Sequence, residues 1–392
     1  MDRIRVGIVG AGNMGSAHAN CIGNGEIDGM VLAAVCDLDP KRTEKYRGND
    51  SKIAVCRDYR ELLQSGTVDA VLIAVPHRLH AQIAIEALEA GLHVLSEKPV
   101  DIRVSQAERL NEVAEKSGKV FGIMFNQRTN PLFQKAREIV QSGQLGELKR
   151  SVWIVTNWYR TQRYYDSGDW RATWAGEGGG VLLNQAPHNL DLWQWICGMP
   201  VSVIGYCGVA KYHDIEVEDD ATILVHYANG ATGTFITSTG EYPGTNRLEI
   251  SGELGKLVLE NGVLKQWKLK TSEREICRTS EQGMPKPEVE YSEIVQEGKE
   301  PAHKGILQNF ANAVLYGEEL LAPGTDGINE LTISNATYLS SWQGNREITL
   351  PFDTTEFDQF LEEKKRGSVW REETVREAGE STEYKERWQV NW

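Results

Sequence analysis

The sequence predicts an α/β chain in two parts: a doubly wound parallel sheet at the N-terminal side, followed by an α+β domain with a largely antiparallel sheet. Three observations carry this. At 392 residues the chain is too long for one ordinary core and suits two. Its first third alternates short apolar runs with amphipathic stretches, the pattern of βαβ units. Beyond about residue 126 the runs lengthen, become aromatic or β-branched and follow one another closely, as antiparallel strands do.

Taken in order, strands are expected at residues 5–9, 31–36, 70–75, 93–96 and 120–124. A helix at 80–90 places Ile83, Ala84, Ala87 and Leu88 on one face, and Gly91 supplies its C-cap. A second helix at 104–116 ends at Gly118. Later strands are expected at 151–159, 201–209, 221–227, 233–239, 247–251 and 256–260, with turns at Asn229-Gly230 and 252–255. Helices at 132–142, 188–196 and 304–316 flank them. The expected domains are 1–125 and 126–351, followed by a charged extension, 352–392, that reads either as a helix plus an extended tail or as a partly disordered terminus.

Composition narrows the function. Hydrophobic residues make up 40% and charged residues 25%, as in a globular protein. A net charge of −14 without a concentrated basic surface argues against nucleic acid or an anionic membrane as partner. Six scattered cysteines form no CxxC pair and read as free thiols in a reducing compartment. No long apolar run precedes the first glycines and none reaches 18 residues, so the cytoplasm is the expected location.

The strongest motif is Gly10-Ala11-Gly12-Asn13-Met14-Gly15, directly after a strand and opening a helix. The first Gly permits a tight turn, the second lets the backbone approach a pyrophosphate, and the third lets helix and strand pack closely. Asp37 falls at the end of the next strand, where a carboxylate accepts from the ribose hydroxyls and repels the 2′-phosphate of NADP. The first part therefore reads as a Rossmann domain with NAD as cofactor, and Arg42 as a solvated neighbour. Val75, Pro76, His77 and His80 follow the third long strand, at the edge that such a sheet turns toward its cofactor. His77 and His80 lack the further ligand that zinc needs, so no metal is expected. Glu97-Lys98-Pro99 closes the next strand. Beside a nicotinamide, the Lys98 ammonium would favour a substrate alkoxide, and a cis bond before Pro99 would turn it inward.

The second cluster runs from Gly178-Gly179-Gly180 through Asn184, Gln185 and His188 to Asp191. Glycines allow close backbone approach to a ligand, and Asn184, His188 and Asp191 share a face if the segment is helical throughout; Pro187 places the helix start near His188. A histidine there serves as general base at neutral pH. Just before the glycines, Trp158, Tyr159, Tyr164, Tyr165, Trp170 and Trp174 are interspersed with Arg160 and Arg171. Aromatic faces with nearby hydrogen-bonding groups suit a sugar.

Together these stretches, with the NQRTNP segment at 126–131 and DGINELTISNATYLS at 326–340, resemble the Gfo/Idh/MocA family over most of the chain. The resemblance implies an open, mainly antiparallel second sheet that mediates oligomerisation, hence a homo-dimer or tetramer. It implies Lys98 and His188 as the catalytic pair, with Glu97 and Arg128 near cofactor or substrate. Tyr159, Trp170, Asn184 and Gln185 complete the expected substrate contacts. Two departures stand out: Asn184 occupies a position that is acidic in many members, and His77 one where Asn is common. The expected activity is oxidation of a secondary hydroxyl, C3 of an O- or C-glucoside. The alternatives are an inositol dehydrogenase, a redox-neutral NAD-dependent glycosidase and a non-catalytic NAD-binding regulator.

Overall fold

The computed structural model describes residues 2–47, 52–168 and 170–369. The chain forms two compact units. The first comprises Met1–Thr129 with Pro301–Leu331, and the second Asn130–Glu300 with Thr332–Trp392. Residues 301–331, read from sequence as part of the second domain, thus cluster with the first.

The first unit holds a six-stranded sheet built from β1 (Ile4–Val9), β2 (Met30–Cys36), β3 (Ala54–Cys56), β4 (Ala70–Ile73), β5 (His93–Ser96) and β6 (Phe121–Ile123). Every pairing is parallel and the order is β3-β2-β1-β4-β5-β6. The chain leaves β1 in one direction and returns beside it at β4, so the loops after these two strands flank the switch point where such sheets bind nucleotides. β4, and β1 beyond the exposed Arg5 at its start, are apolar on both faces, as a strand covered on both sides must be. β3 was not expected: its three residues lie between polar flanks and give too little alternation to read. β4 ends at Ile73, two residues early, because Ala74 and Val75 turn into the loop before Pro76. Helix Ala302–Tyr316 buries Ile306, Leu307 and Phe310. The strand edge at β6 is continued by Ala322, whose carbonyl accepts from Ile123 N at 3.1 Å.

In the second unit β7 (Leu148–Val155), β8 (Ser202–Val209), β9 (Glu218–His226), β10 (Thr232–Ser238), β11 (Asn246–Gly252), β12 (Gly255–Glu260), β13 (Val263–Leu269), β14 (Val289–Val295) and β15 (Ile348–Thr349) form one sheet. Its order is β14-β13-β12-β11-β7-β10-β9-β8-β15, antiparallel except for β7 with β10. β7 stops at Val155, so Trp158 and Tyr159, expected in the strand, lie in the loop beyond it; Thr156 N instead donates to Thr245 O at 2.7 Å. β13 and β14 escaped the sequence reading because lysines and glutamates interrupt their apolar residues and β14 is a largely exposed edge. Trp153 and Phe235 of the sheet meet Phe133 of helix Pro131–Gln141 and Trp193 of helix Pro187–Cys197, with ring centroids 5.5–6.1 Å apart.

Helix Thr354–Arg366 forms where a C-terminal helix was expected. Phe357 stacks on Trp342 at 5.6 Å, and just beyond the helix Ser368 Oγ accepts from Ala175 N at 3.2 Å. The expected extended tail, 370–392, lies outside the described residues. All six cysteines are free thiols, and among the described residues no helix is long and apolar enough to cross a membrane.

Candidate active site

The first unit presents a dinucleotide cradle. Gly10 has φ +92, and a Cβ on it would lie 2.3 Å from Ala74 O. Gly15 is equally constrained, since its Cβ would meet Gly10 O at 1.7 Å as helix Asn13–Gly23 crosses β1. Gly12 differs: its Cβ would have only Arg42 Nη1 at 4.0 Å. That open side, with the amides of Asn13 and Met14 opening the helix, fits the close approach of a pyrophosphate. Asp37, directly after β2, accepts from Ala11 N at 2.7 Å and from Asp39 N at 2.9 Å, so the carboxylate expected to face the ribose braces the glycine loop. Arg42 Nη1 stands 3.7 Å from Asp37 on an exposed side chain.

After β4, Val75 and Pro76 lead into a turn at His77–Leu79. His77 is nearly buried. His80, expected among the cofactor-facing residues, is instead fully buried as a clasp: its Nδ1 lies 2.6 Å from Pro99 O and its Nε2 2.7 Å from Val75 O. Burial holds its pKa below the ordinary range, against the opposing pull of those carbonyls. A neutral imidazole carries one N–H and so donates to one of the two carbonyls, with the ring held between the loops after β4 and β5. The Lys98–Pro99 peptide is cis and Lys98 is half-buried. Glu97 is buried beneath it, accepting from Lys98 N at 3.3 Å and facing His18 Nε2 at 2.8 Å. His18, absent from the sequence reading, has its ring 5.8 Å from that of His303. Its only signal in the sequence was a histidine on the apolar face of the glycine-loop helix.

Arg128 also corrects an expectation. Its side chain is 1% exposed, and Nη1 donates to Asp326 Oδ2 at 2.7 Å and Leu321 O at 3.1 Å. The guanidinium stacks on Phe125, so it ties the 321–326 segment to the first unit. Among the described residues no three His, Cys, Asp or Glu side chains converge as a metal-binding group.

The second unit supplies a polar and aromatic cluster. Two of the three glycines serve packing more than ligand approach: a Cβ on Gly179 would lie 2.2 Å from Tyr338 Oη, and one on Gly180 1.9 Å from Glu218 O. Glu218 is fully buried and accepts from Gly180 N at 3.0 Å, Leu182 N at 2.9 Å and Tyr338 Oη at 2.7 Å. Burial pushes its pKa up to about 7 in spite of those donors. The segment it anchors breaks into a short turn of helix, Val181–Asn184, and the helix from Pro187, so Asn184 is not on one continuous helix with His188 and Asp191. His188 is half-buried, and Asp191 is buried with Gln194 Nε2 at 3.0 Å.

Tyr164 organises the loop side. Its hydroxyl meets Asn184 Nδ2 and Gln185 Nε2 at 3.3 Å each and Arg171 Nη1 at 3.0 Å. Gln185 is nearly buried and so acts through this hydroxyl. Arg160 and Arg171 flank the Tyr164 ring at 5.2 and 4.8 Å, and Arg171 also lies over Trp170. Trp158 Nε1 donates to Asn189 Oδ1 at 3.3 Å, joining the aromatic loop to the helix of His188. Tyr159 is exposed, its ring 5.6 Å from that of Tyr242.

A parallel sheet in this strand order with a glycine cradle and a terminal aspartate, joined to a second unit carrying polar side chains, defines an NAD-dependent oxidoreductase. Residues 4–125 match the oxidoreductase family with NAD-binding Rossmann fold, and residues 133–258 match the GFO/IDH/MocA C-terminal domain. The chain belongs to the Gfo/Idh/MocA family. It is 26% identical to myo-inositol 2-dehydrogenase of Thermotoga maritima over 344 residues, covering 85% of this chain and 95% of that protein. It is also 26% identical to the uncharacterized oxidoreductase YrbE of Bacillus subtilis, over 86% of this chain and 94% of that one. Among solved structures, the WlbA dehydrogenase from Bordetella pertussis in complex with NADH and UDP-GlcNAcA is similar, with TM-score 0.74 and 26% identity. The match covers 90% of this chain and all of that one. Levoglucosan dehydrogenase shares the fold, with TM-score 0.73 at 20% identity over 89% of this chain and 100% of that one.

Proposed function

We propose that the protein oxidises a secondary hydroxyl of a sugar, at C3 of an O- or C-glucoside, to the 3-keto sugar. The observation that carries this reading is the cluster around Tyr164, where two amides and a guanidinium share one hydroxyl beside Trp158 and Trp170. Amides and guanidinium groups pair with sugar hydroxyls, and aromatic faces cover the C–H faces of the ring. The Thermotoga relative is named for myo-inositol and the WlbA structure holds a sugar nucleotide, so a polyhydroxylated ring is the substrate class those similarities support. Several relatives named inositol 2-dehydrogenase favour a cyclic polyol as the second reading.

In this mechanism the His188 imidazole takes the hydroxyl proton as general base. The Lys98 ammonium, assigned as the other member of the catalytic pair, favours the alkoxide. Glu97 and the His80 clasp hold the lysine's loop from below. NAD, when bound, accepts the hydride. Gly10, Gly12, Asn13, Met14, Gly15, Asp37, Val75, Pro76 and His77 are assigned to the cofactor, and Tyr159, Trp170 and Asn184 to the substrate.

The test mixes purified protein and NAD with glucose, alkyl, aryl and C-glucosides and inositols, and follows NADH absorbance. NADH with glucosides supports the reading, and NADH with inositols alone replaces it by the second. His188→Ala is expected to lower turnover by about 10²–10⁴-fold. Glycoside cleavage without NADH release would replace the dehydrogenase with redox-neutral turnover.

A further inference from the structure

Glu177 lies in the segment between the aromatic loop and the three glycines and is 1% exposed. A carboxylate buried this deeply needs donors. Its Oε2 accepts from Ala172 N at 2.7 Å, and its Oε1 accepts from Asn184 Nδ2. Ala172 has φ 52, a left-handed conformation that costs a residue with a Cβ free energy, so the Glu177 bond pins the loop end that carries Trp170 and Arg171. A carboxylate only accepts, so the amide that meets it must present its NH₂ group. The same NH₂ reaches Tyr164 Oη at 3.3 Å, which turns the carbonyl oxygen of Asn184 away from Glu177.

We propose that Glu177 is a positioning residue of the substrate side: it fixes the Asn184 amide so that its carbonyl oxygen serves as acceptor for a substrate hydroxyl, and it requires position 184 to be neutral. This rests on the reading of Asn184 as a substrate contact. An aspartate at 184 sets two carboxylates against each other in a buried place where only one ionises readily. Further titratable or charged side chains around this spot are Tyr164, Tyr165, Arg160 and Arg171.

Three variants of the full chain test this: Asn184→Asp, Glu177→Gln and the double swap. Thermal midpoints are measured from acid to alkaline pH, and kcat and KM with whichever ring compound yields NADH. Asn184→Asp is expected to lose more stability at alkaline than at acid pH, where one proton bridges the two carboxyls. Glu177→Gln is expected to raise KM about tenfold while kcat moves less. The swap keeps a donor facing an acceptor across the same gap, so the midpoint is expected to return toward wild type. If Asn184→Asp alone does not fold, recovery of folded protein in the swap is the same coupling. Midpoint losses that simply add in the double variant overturn the proposal. So does an unchanged KM in Glu177→Gln. If no compound yields NADH, the functional reading fails, while the midpoints still decide whether Glu177 and Asn184 are coupled.

Discussion

A single methyl group separates two roles within the glycine loop. Gly12 has room for a Cβ and a φ of −67 that alanine adopts without strain, so Gly12→Ala is expected to keep the wild-type thermal midpoint while losing NAD binding, read by calorimetry. Gly15→Ala drives a methyl into Gly10 O and is expected to fail in the midpoint itself. Asp37 braces Ala11 N and is the carboxylate proposed for the ribose. Asp37→Ser is expected to weaken NAD binding by about 10–100-fold, the worth of a hydrogen bond to a charged group, and to narrow the preference over NADP. The kcat/KM ratio for the two cofactors measures it. The glycines and Asp37 were legible because their roles are encoded by spacing within one βαβ unit. His18 with Glu97, and Arg128 with Asp326, were not, because each pair meets only once distant segments have folded. Glu177 escaped the sequence reading; its signal was an acid set among glycines and aromatics.

At the scale of elements, strand β9 delivers Glu218 beneath the glycine segment that leads to His188. Its pKa rises from the ordinary 4.5 to about 7, so the fold favours the protonated carboxyl. That contribution to stability is fully present below about pH 4.5 and is lost as pH rises through 7, a change of about 3 kcal/mol. In Glu218→Gln the titration is gone, and the fall in thermal midpoint over that window is expected to flatten relative to wild type. Long β-branched strands such as β9 and β10 were legible within a few residues. β13 and β14 were not, since a strand whose outward positions carry Lys and Glu and whose inward face is only partly covered lacks the contrast on which periodicity depends.

At the scale of the whole chain, the first unit is discontinuous, and amphipathic periodicity announced helix Ala302–Tyr316 without saying which core it would join. Residues 1–129 alone would leave Arg128 without Asp326 and β6 without the Ala322 carbonyl. That fragment is expected to stay unfolded, whereas 1–129 joined to 301–331 by a Gly/Ser linker is expected to fold and gain thermal stability with NAD. The same discontinuity has a bearing on synthesis. The ribosome must add about 170 further residues before the closing helix of the first unit appears, roughly ten to thirty seconds at ordinary elongation rates. Throughout that interval the nascent N-terminal segment lacks the residues that complete its fold. A chain whose synthesis stops before residue 301 is therefore expected to bind no NAD, so that cofactor binding requires translation to have entered its final quarter.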